Sequence, residues 1–229
     1  MNAPNNQTQA NIPPFILKDC ALIAVATNQR AATLKEFRDH IETLSKDSLY
    51  YHFWGNLLLP HFEEREYIND FAGWVRHSLH DAILAEQLAV LDPTRFSNPE
   101  DLRYRMLEYI DDRLEQSEYL QWTRASQRFE FIRSQIVVFD ARTAVTDPHE
   151  MVELIPHLSV NSIFYHFIDS RRRTENKIDD FRQWLSFFGD TYQPLIERLS
   201  QLDPYFLTLT QLRQQLAATF QEYFTETVS

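Results

Sequence analysis

The chain has 229 residues, 44% of them hydrophobic and 14% aromatic, which is enough apolar material for a packed core. Three glycines in all argue against a barrel or sandwich of tight turns and against a Gly-rich phosphate loop. A formal charge of −11 repels phosphate backbones, so no nucleic-acid role is expected. A single cysteine, Cys20, excludes an internal disulfide or a cysteine-based zinc site.

Residues 1–14 are rich in Asn, Gln, Ala and Pro and lack the charged and apolar regions of a signal peptide, so they are expected to form a disordered tail. Without an apolar run of about 20 residues, no membrane contact is expected, and the compartment is read as cytoplasmic. Phe15 to Leu17 and Leu22 to Val25 are β-prone. Thr33-x-x-Glu36 has the form of a capping box, and Leu34, Phe37, Ile41 and Leu44 then share one helical face. Ser48 is expected to cap, or lie in the first turn of, a second helix that carries Tyr51-His52-Phe53. A third helix runs through Phe71 and Trp74, with Asp70 as its expected cap. A fourth stops at Leu91-Asp92-Pro93, and a fifth carries Leu102, Met106, Ile110 and Leu114 at a spacing of four. Residues 115–128 form a connector, expected to pack on the body through Tyr119 and Trp122.

The pattern then repeats. At an offset of 114, Ser48-Leu49-Tyr50-Tyr51-His52-Phe53 meets Ser162-Ile163-Phe164-Tyr165-His166-Phe167, and Phe15, Glu36, Ile41, Leu44 and Ser45 meet identical residues. Asp147-Pro148-x-Glu150 takes the place of the first capping box. Beyond the His the offset falls to 110, where Asp70-Phe71 and Trp74 meet Asp180-Phe181 and Trp184. Leu202-Asp203-Pro204 and the stripe Leu212, Leu216, Phe220, Phe224 follow. Repeats of this kind fix the fold reading. The expectation is a mostly α (α+β) protein, an internally duplicated helical module with a small antiparallel β element and pseudo-twofold symmetry. Copy 1 covers 15–114 and copy 2 covers 129–229, packed as one body.

The Phe15-to-Leu22 run, Tyr51-His52-Phe53-Trp54, Asn69-Asp70-Phe71 with Trp74, and Phe131 to Phe139 together resemble an uncharacterised prokaryotic family classed as a domain of unknown function. The resemblance implies no activity, ligand or catalytic residue. It does imply genes that neighbour those of sugar metabolism. Thr27-Asn28 departs from the Thr-Gly expected there, although Asn also tolerates a left-handed backbone.

His52 and His166, with Asp70 and Asp180, are the candidates for acid–base chemistry. The alternative is a buried His bonded to that Asp or to a backbone carbonyl, which retention of the whole block in both copies favours. Copy 1 alone has His61 and His77-Ser78-Leu79-His80-Asp81. His77 and His80 would share a helical face, so His52, His77, His80 and Asp81, or Glu63, could hold a divalent metal. No H-E-x-x-H or paired E-x-x-H spacing supports this, and no cofactor is the simpler expectation. Arg171-Arg172-Arg173 could grip a phosphate or form a solvated loop, set against Glu63-Glu64-Arg65-Glu66 in copy 1. Tyr50, Tyr51, Trp54 and Trp74 could line a sugar cleft or fill the core. Two functions follow from these residues. One is a non-catalytic binding or regulatory module for a protein or small molecule, as monomer or homodimer. The other is a metal-dependent hydrolase or sugar-related enzyme with its site in copy 1.

Overall fold

In a computed structural model the described residues are 12–58 and 66–228. The protein is mostly helical with one two-stranded antiparallel sheet, an α+β arrangement. The β-prone stretches extend much further than their cores suggest. Strand β1 runs Phe15–Thr33 and β2 runs Arg124–Val145, so the last five residues of the expected connector, 124–128, are strand. Asn28 takes the left-handed backbone at φ 62, and Arg142, at the matching repeat position, does so at φ 55.

The chain divides into two compact units. One comprises 21–137; the other joins the N-terminal segment through Cys20 to residues 138 onward. The units therefore do not share the boundaries of the sequence copies.

In the first unit, α1 (Leu34–Thr43) starts at Thr33, whose hydroxyl accepts from the Glu36 N–H at 3.2 Å, while Glu36 reaches back to the Ala32 N–H. Helix α2 (Lys46–Trp54) is capped by Ser45, and Ser48 lies in its first turn, the second of the two places expected for it. Helices α3 (Asp70–His77), α4 (Ala82–Ala89), α5 (Pro99–Gln116) and α6 (Glu118–Trp122) follow. Leu34, Phe37, Ile41, Phe71, Val75, Leu84, Leu88, Met106 and Ile110 form the buried centre. Phe129 and Phe131 from β2 enter that centre; Phe129 stacks on Phe71 with ring centres 5.5 Å apart.

In the other unit, the expected Asp147–Glu150 capping box is present and opens a 3₁₀ turn leading into α7 (Met151–Leu154). Helix α8 (Val160–Ile163) passes into a π-helical turn, Phe164–Asp169, and then α9 (Ser170–Arg173). Helices α10 (Asp180–Ser186), α11 (Gln193–Ser200) and α12 (Leu209–Val228) complete it. Leu212, Leu216 and Phe220 of α12 are fully buried, as the spacing of four requires. Phe15 of β1 enters this core, its ring 5.2 Å from Phe181 and 5.4 Å from Trp184.

Candidate functional site

The two motif histidines lie inside, and both ring nitrogens of each are engaged. His52 is 1% exposed. Its Nδ1 is 2.9 Å from Asp70 Oδ2, and its Nε2 is 3.0 Å from the backbone nitrogen of Ile132 on β2. A backbone N–H can only donate, so Nε2 must be the acceptor. The proton therefore sits on Nδ1 and is donated to Asp70, whose other oxygen accepts from the Asn56 side-chain amide. Ser48, inside α2, donates to the Ile132 carbonyl at 2.5 Å, so the His and Ser together grip both polar groups of one strand residue. Trp74 Nε1 donates to the Gln127 carbonyl at 2.7 Å, fixing a second point of the same strand.

The other unit repeats this arrangement. His166 is 2% exposed, its Nδ1 lies 2.8 Å from Asp180 Oδ2, and its Nε2 accepts from the Lys18 N–H at 2.9 Å. Ser162 donates to the Lys18 carbonyl at 2.7 Å and Trp184 to the Pro13 carbonyl at 2.9 Å. The expected partner was Asp or a backbone carbonyl; the structure uses Asp and a backbone N–H. The expected caps are also corrected. Asn69 and Asp179 cap α3 and α10, one residue before Asp70 and Asp180, which serve the histidines instead.

A general base must present a lone pair to a substrate proton. In a Ser-His-Asp arrangement Asp holds Nδ1–H and Nε2 faces the reacting group. Here the Asp is in place, but Nε2 faces a structural amide in both units.

Among the copy 1 metal candidates, Asp81 and His77 have other partners. Asp81 is 5% exposed; one oxygen accepts from the Leu84 N–H as the cap of α4, and the other lies 2.7 Å from Arg113 Nε. Helix α3 ends at His77, and His80 lies beyond it with a left-handed backbone (φ 59), so the two do not share a helical face. His77 Nε2 lies 3.2 Å from Glu66 Oε2. Among the described residues no three His, Cys, Asp or Glu side chains come together as metal ligands. His61, Glu63, Glu64 and Arg65 fall outside the described residues, as does most of the tail.

The arginine triplet is bound internally. Arg172 and Arg173 pair with the buried Asp169, and Arg173 also bonds Asp180 and the Tyr165 carbonyl while its guanidinium covers the Tyr165 ring at 4.0 Å. Arg171 donates to the Phe167 carbonyl and lies over that ring. Tyr51, Trp54 and Trp74 are buried, and Tyr50 is half-buried.

In the unit 21–137 an open cleft of about 330 Å³ is lined by Glu66, Tyr67, Asn69, Asp70, Gly73, Trp74 and His77. Gly73 has nothing within 4 Å of where a Cβ would stand. Asn69 is spent on capping Ala72 and on the Leu88 carbonyl. Burial and the Tyr67–Glu86 hydrogen bond push the Tyr67 phenol up to about 12, so it keeps its proton at neutral pH. At the copy 2 positions matching Glu66, Tyr67, Gly73 and His77 stand Asn176, Lys177, Gln183 and Phe187.

The model of a family of unknown function, DUF5752, matches residues 12–221. The chain belongs to this family. No curated protein matches it. A solved structure titled "The structure of OrfY from Thermoproteus tenax" is similar at TM-score 0.78 and 23% identity, covering 91% of this chain and 94% of that one. At that identity the likeness establishes the fold of this DUF5752 chain and nothing about its activity. Among its described residues no helix is long and apolar enough to cross a membrane.

Gly73 was the residue sequence reasoning passed over. It sits inside the matched Asp-Phe-x-x-Trp block, and the signal available was its replacement by Gln183 in the otherwise parallel block of copy 2.

Proposed function

We propose that this chain is a non-catalytic binding or regulatory module. In this reading a duplicated framework holds the fold, and the copy 1 cleft takes a small polyhydroxylated ligand, a carbohydrate or its derivative. One observation carries the non-catalytic part: in both units His Nε2, the atom a base would use, accepts from a backbone N–H. Recurrence of that contact set at the repeat offset supports the duplication. The lining supports the ligand class. Glu66 and His77 offer polar groups for hydroxyls, beside the edges of the largely buried Tyr67 and Trp74 rings.

The test is calorimetric titration of the purified chain with glucose, maltose and glucose 6-phosphate, beside the variants Gly73→Ala and Gly73→Gln. The reading predicts that one saccharide binds without turnover, that Gly73→Ala keeps the affinity, and that Gly73→Gln fills the cleft and lowers affinity at least tenfold. Binding indifferent to Gly73→Gln would remove the cleft from the account. Conversion of the sugar, or stoichiometric metal lost on His77→Ala, would overturn the non-catalytic reading in favour of an enzyme.

A further inference from the structure

The five-residue helix α6 was expected to pack through its aromatics, and it does the reverse. Leu120 is its buried anchor at 7% exposure, while Tyr119 and Trp122 are each 77% exposed, the highest values for large apolar side chains among the described residues. Positions 118, 119 and 122 fall on one helical face at spacings of three and four, so Glu118 joins the two rings there. Both the Thr123 N–H and its hydroxyl bond the Tyr119 carbonyl, at 3.0 and 2.8 Å, which closes the turn and holds the face in shape. Trp is highly buried on average, so a fully outward Trp beside an outward Tyr is informative where a lone exposed Leu would not be.

The sequence leading into the rings is acidic. Asp112 and Glu115, in the last two turns of α5, and Glu118 are exposed and enter no hydrogen bond or ion pair among the described residues. Their neighbours Glu108 and Asp111 are instead held by Arg105 and Arg38. Arg124 is the exposed cation that follows, leaving the stretch 112–124 with more unmatched carboxylates than cations.

We infer that the α5–α6 surface is a docking site for an arginine-bearing segment of another protein. A guanidinium stacks on Trp or Tyr and pairs bidentately with carboxylates, which is the combination displayed here. Size separates this occupant from a second copy. Two aromatic side chains and three carboxylates supply roughly 400–600 Å², below the ~800 Å² per partner of a standard stable interface. That suits a peptide segment. The site is remote in composition from the cleft and does not depend on it.

Trp122 reports on its own surface, because Trp54, Trp74 and Trp184 are only 5%, 8% and 4% exposed. Hexa-arginine peptide added to the full chain at 0.3 M salt, where long-range attraction is screened, is expected to protect Trp122 from acrylamide quenching. By calorimetry its Kd should rise at least tenfold in Trp122→Ala and in Glu115→Gln/Glu118→Gln. The urea midpoint should stay unchanged, since these side chains are exposed. Absence of binding up to millimolar peptide, or a change below twofold in Trp122→Ala, would overturn the proposal as adherence elsewhere on an acidic surface. A wild-type chain that sediments as a dimer and a Trp122→Ala chain that sediments as a monomer would also overturn it, identifying a second copy as the occupant.

Discussion

Replacing His52 by Ala removes a side chain whose ring centre lies 4.8 Å from Phe129 and 5.0 Å from Phe71, and whose Nε2 is the acceptor for the Ile132 N–H. Leaving that N–H unpaired costs about 1–3 kcal/mol. The space left by the ring costs about 2 kcal/mol more, toward the low end for large-to-small core changes because the imidazole is smaller than Phe. Asp70 adds little, since its side chain is 27% exposed and water can replace the lost donor. The sum is about 3–5 kcal/mol. With a urea m-value of about 2 kcal/mol/M, the midpoint of that transition should fall by roughly 2 M with the slope unchanged. His52→Gln, which can offer an amide oxygen to Ile132, should recover about 1 kcal/mol. His166→Ala should lose a similar amount by orphaning the Lys18 N–H. A loss below about 1 kcal/mol for either Ala variant would refute the argument, because the ring would then not be holding the strand.

Other changes test the same reasoning elsewhere. Gly73→Ala should raise stability by about 0.5–1 kcal/mol in a thermal or urea melt, since it lies inside α3 with open space around the added methyl. Asp81→Ala should cost about 2–4 kcal/mol by uncapping α4 and stranding Arg113, and Asp81→Asn, which keeps the cap, should cost less. Elemental analysis should show the same metal content in the Asp81→Ala and wild-type proteins. Cys20, 2% exposed, has its thiol pushed from 9.0 to about 12, first by burial and then by Asp169 and Asp19. A raised folded value favours the protonated thiol. Its stabilising effect is therefore complete below pH 9 and is lost as pH rises from 9 towards 12. Iodoacetamide at pH 8 should label Cys20 in denaturant and not in the folded chain.

Local signals were legible where the residues that made them also used them. Thr33 caps α1, Asp147 and Glu150 form their box, and Leu212, Leu216 and Phe220 of the α12 stripe are buried while Phe224 is half-buried. Signals failed where two residues competed for one role. Asn69 and Asp70 are both good caps, and nothing local shows that His52, 18 residues earlier, takes Asp70 and leaves the cap to Asn69. Of the two places open to Ser48, the first turn of α2 is the one it takes, its hydroxyl being drawn to a strand 84 residues away. Phe15 was read with the helices that follow it in sequence, whereas its ring partners are His166, Phe181 and Trp184. Periodicity reports which side of an element is apolar but not which element covers it. Strand length was underestimated because residues 26–30 and 140–144 are polar, small or turn-forming and are held in β1 and β2 by pairing rather than by propensity. The cleft was hidden because a glycine advertises nothing by itself, and Trp122 because aromatic character alone predicts burial.

The non-catalytic reading stands on the protonation pattern of two rings, and that pattern is directly measurable. Long-range ¹H–¹⁵N correlation spectra of the histidine side chains in the full chain at neutral pH should assign His52 and His166 as neutral rings with the proton on Nδ1 and a bare, hydrogen-bonded Nε2. Finding the proton on Nε2 in either ring, with Nδ1 bare, would break the strand contact on which the account rests and return that histidine to the list of candidate catalytic groups.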